Sequence, residues 1–92
     1  MDKVKPPTVE EQIKFFERIL DDEDGHLFII VLASLTSEDE LRGNKKNQES
    51  ALTISKFILD NFDKIKIRSD ERRAFVKKYL QEVPEIVKQY QE

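Results

Sequence analysis

The sequence predicts a small α+β domain in which three or four helices pack on one short β-hairpin. Apolar side chains recur at helical spacing in residues 9–20, 48–65 and 74–90. A continuous apolar run also lies between the first two of these segments, and it has the length of a buried strand. The alternative is an all-α four-helix bundle, because periodicity does not separate a buried strand from a buried helix in such a run.

The chain has 92 residues, which is the size of one domain. We assign residues 1–7 to a flexible N-terminal arm, because Pro6 and Pro7 favour extended backbone, and residues 8–92 to a single helix-rich domain. Hydrophobic and charged residues each make up 38% of the chain, a balance that supports a small core and argues against full disorder.

The first helix is predicted over residues 9–21. Thr8 and Glu11 have the spacing of a capping box, in which each side chain binds the backbone amide of the other residue. Apolar residues then follow at spacings of three and four, as on one face of a helix. These residues are Val9, Ile13, Phe16 and Leu20. An acidic loop follows the helix, and Gly25 suits a left-handed position in it.

Residues 27–35 are the ambiguous segment. Their Phe-Ile-Ile-Val core favours a strand, and the Asp-Gly before the run is typical of a strand boundary. We therefore predict a strand here and a return strand at residues 40–42, followed by a turn at Gly43. In the helical alternative, a helix capped by Asp24 extends through Leu35, and Ser37 caps a further turn.

The second half of the chain predicts a helix over residues 48–64 and another over 70–82 that is capped by Ser69. The apolar face of the first is broad enough to be covered on two sides, which indicates a central helix or packing on a second copy. Pro84 suits the first turn of a separate terminal helix. The inward face of this region is assigned to Phe75, Val76, Tyr79, Leu80 and Val83.

Charge is distributed unevenly along the chain. Residues 1–43 contain 5 basic and 11 acidic side chains (net −6), whereas residues 44–92 contain 11 basic and 8 acidic side chains (net +3), which together give the net charge of −3. The basic segment 64–78 is a candidate site for nucleic acid, nucleotides or other anions. Its candidate residues are Arg68, Arg72, Arg73, Lys77 and Lys78. In the competing interpretation, these cations solvate the surface and pair with the acidic half.

No residue pattern predicts catalysis. Asp24 and His26 lie close together, which is the basis of a third hypothesis, a metal-dependent or His26-dependent enzyme. The acidic loop fails as an EF-hand, because Leu20 and Val31 would occupy ligand positions. The chain has no cysteine, which excludes thiolate chemistry and disulfides. We expect no catalytic residue, metal or cofactor.

The favoured function is a non-catalytic protein interaction module. It would regulate or inhibit a larger complex as a homo-oligomer, like the accessory proteins that phages and mobile elements encode. Phe15, Phe57 and Leu59 lie off the main apolar stripes and are the candidate interface residues. No apolar run is long enough to cross a membrane and no secretory stretch opens the chain, so we expect a cytoplasmic protein without a membrane partner.

Overall fold

The computed structural model describes residues 5–91 and is all-α over that range. Its five α-helices are α1 (Val9–Leu20), α2 (His26–Ser34), α3 (Glu38–Leu41), α4 (Lys45–Asp60) and α5 (Asp70–Lys88). A 3-10 turn, Phe62–Lys64, follows α4. Since residues 5–91 contain no strand, the predicted α+β fold with a β-hairpin is wrong, and the helical alternative is correct in class.

The predicted first strand is helix α2. Every residue from 27 to 33 is apolar, so the sequence hides any period, but the structure turns Phe28, Leu32 and Leu35 toward the core at spacings of four and three. Asp22 stabilises the start of this helix, because its Oδ2 accepts from the amide of Leu27 at 3.1 Å. Gly25 is left-handed as expected, with φ of 78°, but it is the N-cap of α2.

The predicted return strand is helix α3. Ser37 is its N-cap, as the helical alternative proposed, and acidic residues fill its first turn, where the helix dipole favours negative charge. Leu41 is buried at its end, and Arg42 forms an ion pair with Glu38 one turn away. Because both predicted strands are helical, the predicted β-hairpin does not form.

The other helix ends follow local signals. Both hydrogen bonds of the Thr8–Glu11 capping box are present at the start of α1. Asn44 caps α4 through the amide of Asn47, and Ser69 caps α5 through the amide of Arg72. The prediction of a break at Pro84 is wrong, because α5 continues through this residue.

Helices α4 and α5 pack along each other and supply much of the core. Within it, Gln48 is buried and donates to the carbonyls of Leu41 (2.8 Å) and Tyr90 (3.1 Å), which joins α3, α4 and the end of the chain. Of the predicted N-terminal arm, residues 1–4 lie outside the described part of the structure. Lys5, Pro6 and Pro7 are exposed and non-helical.

Candidate functional site: the apolar surface of α2

Between its polar end residues His26 and Ser34, helix α2 is apolar around its whole circumference, but the protein covers only one of its sides. The side formed by Phe28 and Leu32 packs on the core. The opposite side is open to solvent, with Ile29 61% exposed and Ile30 63% exposed. A nine-residue helix of this composition is normally enclosed on all sides. Its exposed side is therefore a candidate docking surface.

We call this surface the α2 patch. It consists of the exposed apolar side chains of α2 together with one exposed aromatic residue of α5. Its members are Leu27, Ile29, Ile30, Ala33 and Phe75. Residues 27–35 include no ionisable side chain, so the part of the patch that lies on α2 is uncharged.

An open groove of about 650 Å³ runs between α2 and α5 beside this patch. Its walls are mostly apolar, and its aromatic rings pack on one another: Phe28 and Phe75 meet edge to face with ring centres 6.0 Å apart, and Phe75 lies 5.7 Å from Tyr79. The lining residues are Phe28, Ile29, Leu32, Ala33, Ser69, Glu71, Arg72, Phe75 and Tyr79.

Polar contacts from α5 fix α2 at one end of the groove and the segment before α2 at the other. At one end, the Tyr79 hydroxyl donates to the carbonyl of Leu32 at 2.9 Å and also bonds the Thr36 hydroxyl. At the other end, Nη1 of Arg72 donates to the carbonyls of Leu20 and Asp22. The α2 patch therefore lies on a helix that is fixed in position, which suits a preformed binding surface.

The three predicted anion-binding arginines make contacts within the protein. Arg68 forms an ion pair with Asp21 at 2.7 Å. Arg72 binds the two carbonyls described above, and Arg73 donates to the carbonyls of Ile65 (2.8 Å) and Phe62 (3.1 Å). These guanidinium groups bind backbone carbonyls at the end of α1 and around the 3-10 turn.

Lys77 and Lys78, the other two predicted anion-binding residues, are exposed on α5. Among residues 5–91, neither takes part in an ion pair. The basic segment therefore presents four exposed ammonium groups, those of Lys64, Lys66, Lys77 and Lys78. Its three arginines are held by backbone carbonyls or a carboxylate. The ion pair of Arg68 with Asp21 joins the basic and acidic halves of the chain, which is a contact of the kind that the competing interpretation expected.

The three predicted interface residues differ in exposure, although the rings of Phe15 and Phe57 both pack on that of Phe16. Phe15 is 55% exposed on α1. Phe57 and Leu59 on α4 are partly buried against the core, with the Phe57 ring 5.8 Å from that of Phe16. The broad apolar face of α4 is thus largely covered within the chain. The larger uncovered surface lies on α2.

The third hypothesis rests on Asp24 and His26, which are both exposed. Neither lines the groove between α2 and α5. Within residues 5–91, no group of three or more acidic or histidine side chains is arranged to hold a metal ion.

The sequence pattern alone does not reveal the α2 patch. It predicts that residues 27–35 are buried and that Phe75 lies on an inward face, whereas the Phe75 side chain is 52% exposed. The available signal is the uniform apolarity of the run. Side chains project from a helix in all directions. A helix that is apolar at every position therefore exposes apolar side chains to solvent unless other elements pack on all of its sides.

No helix within residues 5–91 combines the length and apolarity needed to cross a membrane. Comparison of the chain with family models, curated proteins and solved structures gives no match.

Proposed function

We propose that this chain is a non-catalytic protein interaction module, a small regulator or inhibitor that docks through the α2 patch. The observation that supports this most directly is the uncharged, solvent-facing side of α2. The four large apolar side chains of the patch, on α2 and α5, are 48–63% exposed. Exposed apolar clusters of this kind mark interaction surfaces, whereas isolated apolar residues do not.

The size of the α2 patch fits this role. If a half-exposed large side chain presents roughly 100 Å², the patch offers roughly 400 Å² of apolar area, which lies in the range of functional patches on monomers. A standard interface buries about 800 Å² per partner, and more than half of that area is apolar. The patch thus has the area of the apolar centre of such an interface.

The arginine contacts favour this proposal over nucleic-acid binding. A guanidinium that already donates to backbone carbonyls offers fewer donors to a phosphate. Arg72 and Arg73 are in this position, and Arg68 has a carboxylate partner. The net charge of −3 also opposes attraction to a polyanion.

The test is a quantitative pull-down from the native host with the full chain as bait, comparing wild type with Ile30→Glu. Ile30 is 63% exposed, so a glutamate there leaves the core intact and places a charge at the centre of the patch. We expect specific protein partners to be retained by wild type and lost by Ile30→Glu, with circular dichroism unchanged between the two.

The matched control is Phe15→Glu, which introduces the same charge at an apolar residue that is 55% exposed on α1. It should retain the partners that Ile30→Glu loses. If Phe15→Glu abolishes binding and Ile30→Glu does not, the interface lies on α1 and the role given to the α2 patch is wrong.

A further inference from the structure

The position of Ile30 suggests what covers the α2 patch. At 100° per residue, Ile30 lies about 200° around α2 from Phe28, which packs against the core, so Ile30 faces away from the core. It also lies midway along the helix His26–Ser34. Ile30 is therefore at the centre of the exposed face, both along the helix axis and around it.

We infer that this face binds the same face of a second copy, with the two α2 helices antiparallel about a two-fold axis beside Ile30. The inference rests on the proposed function, since it names the occupant of the same docking surface. In a two-fold interface each surface must be complementary to itself. Residues 27–35 meet this condition, because they contain no ionisable side chain. His26, the exposed first residue of α2, would lie near Ala33 of the other copy and away from the other His26, so the pairing opposes no like charges.

The sizes of the side chains favour the antiparallel arrangement. The exposed face has a large residue, Leu27, near its N-terminal end and small residues, Ala33 and Ser34, near its C-terminal end. Antiparallel pairing about Ile30 places Leu27 of one copy opposite Ser34 of the other, because these two residues lie on the same flank of the helix, so that a large side chain meets a small one. Parallel pairing would oppose large to large and small to small. In the antiparallel arrangement the positive end of each helix dipole also lies beside the negative end of the other, which is favourable.

The area indicates how stable the pair is. The patch supplies roughly half of the 800 Å² per partner that a standard stable complex buries. The dimer should therefore form reversibly, with a dissociation constant on the order of micromolar, and not as an obligate assembly.

Sedimentation velocity of the full chain between about 1 and 500 μM tests the assembly. We expect a concentration-dependent shift from monomer to dimer for wild type and for Phe15→Glu. Ile30→Glu should raise the dissociation constant at least about tenfold, because it places two carboxylates beside each other near the two-fold axis. A chain that stays monomeric throughout this range would overturn the inference.

Single cysteines test the geometry, and they report cleanly because the chain has none of its own. Directly facing Cα atoms of helices whose axes lie 8–10 Å apart are roughly 3.4–5.4 Å from each other, and a disulfide spans the upper part of this range. Under mild oxidation, Ile30→Cys should therefore cross-link to itself. Thr53→Cys, exposed on α4, is the control and should remain monomeric.

A mixture of Leu27→Cys and Ser34→Cys chains should give the mixed disulfide. Self-linkage of Ser34→Cys without a mixed product would overturn the antiparallel arrangement. If wild type is monomeric but Ile30→Glu still abolishes capture of another protein, the second-copy inference fails and the proposed function stands. If Ile30→Glu changes neither self-association nor capture, both fail.

Discussion

The guanidinium of Arg72 lies 4.8 Å from the centre of the Phe28 ring. The same group donates to the carbonyls of Leu20 and Asp22. One side chain of α5 thus contacts the end of α1, the loop that follows it and the first turn of α2. Phe28 also lines the groove beside the α2 patch, so this contact positions the surface on which the proposed function depends.

Replacing Arg72 by lysine should destabilise the protein by about 2 kcal/mol. The ammonium group keeps the charge, but it cannot reproduce the flat stacking on Phe28 or the fixed direction in which the planar guanidinium holds Nη1 toward the two carbonyls. The measurement is the urea midpoint, together with hydrogen exchange of the α2 amides, which should accelerate more than those of α4.

The matched control for that change is Arg68→Lys. Arg68 also contacts the end of α1, but its side chain is 73% exposed, so its ion pair with Asp21 is screened by water and should contribute less than about 1 kcal/mol. Equal losses for the two variants would contradict the role given to Arg72.

Gly25→Ala should cost about 1 kcal/mol, because the backbone at this position has a φ of 78°. The added Cβ would lie 3.6 Å from Nη2 of Arg72, an ordinary contact. The cost is therefore conformational and not steric. Gly25→Asn should lose less stability than Gly25→Ala, since asparagine tolerates the left-handed region better than alanine does. Thermal or urea unfolding provides the measurement.

Gly43→Ala is the natural comparison, because Gly43 has a φ of 69° and a Cβ added there would meet no atom within 4 Å. The two alanine variants should lose similar stability. A neutral Gly25→Ala would mean that α2 does not begin with a left-handed residue, and the account of why residues 27–35 form a helix would fail.

The sequence predicts those elements that carry local signals. The Thr8–Glu11 capping box and the Ser69 cap mark the starts of α1 and α5, and both are present. These signals depend on hydrogen bonds between residues three apart, so the sequence contains all of their partners.

The fold of residues 27–35 depends on contacts that are distant in sequence. Its β-branched and aromatic residues favour a strand locally. Tyr79 binds the carbonyl of Leu32 from 47 positions away, and Arg72 fixes the loop before the helix from 50 positions away. The docking surface escapes prediction for the same reason, because which side of α2 stays uncovered depends on where α5 lies. Tertiary contacts here override local propensity.

Pro84 is typical of the first turn of a new helix, yet α5 extends from Asp70 to Lys88 across it. Val83 and Val87 are fully buried on either side, and their packing holds the helix together where the proline weakens it. Proline has no amide hydrogen, so residue 84 cannot donate to the carbonyl of Leu80 four positions earlier.

Pro84→Ala should therefore stabilise the protein by about 2 kcal/mol, because it restores this donor and removes the clash of the ring with the preceding turn. The gain is less than the full penalty of a proline inside a helix, since alanine also increases the conformational entropy of the unfolded chain. The measurement is the free energy of unfolding in urea. Glu85→Ala, at the neighbouring exposed position, should change stability by less than about 0.5 kcal/mol. A loss of stability in Pro84→Ala would show instead that the end of α5 needs the local geometry that proline imposes.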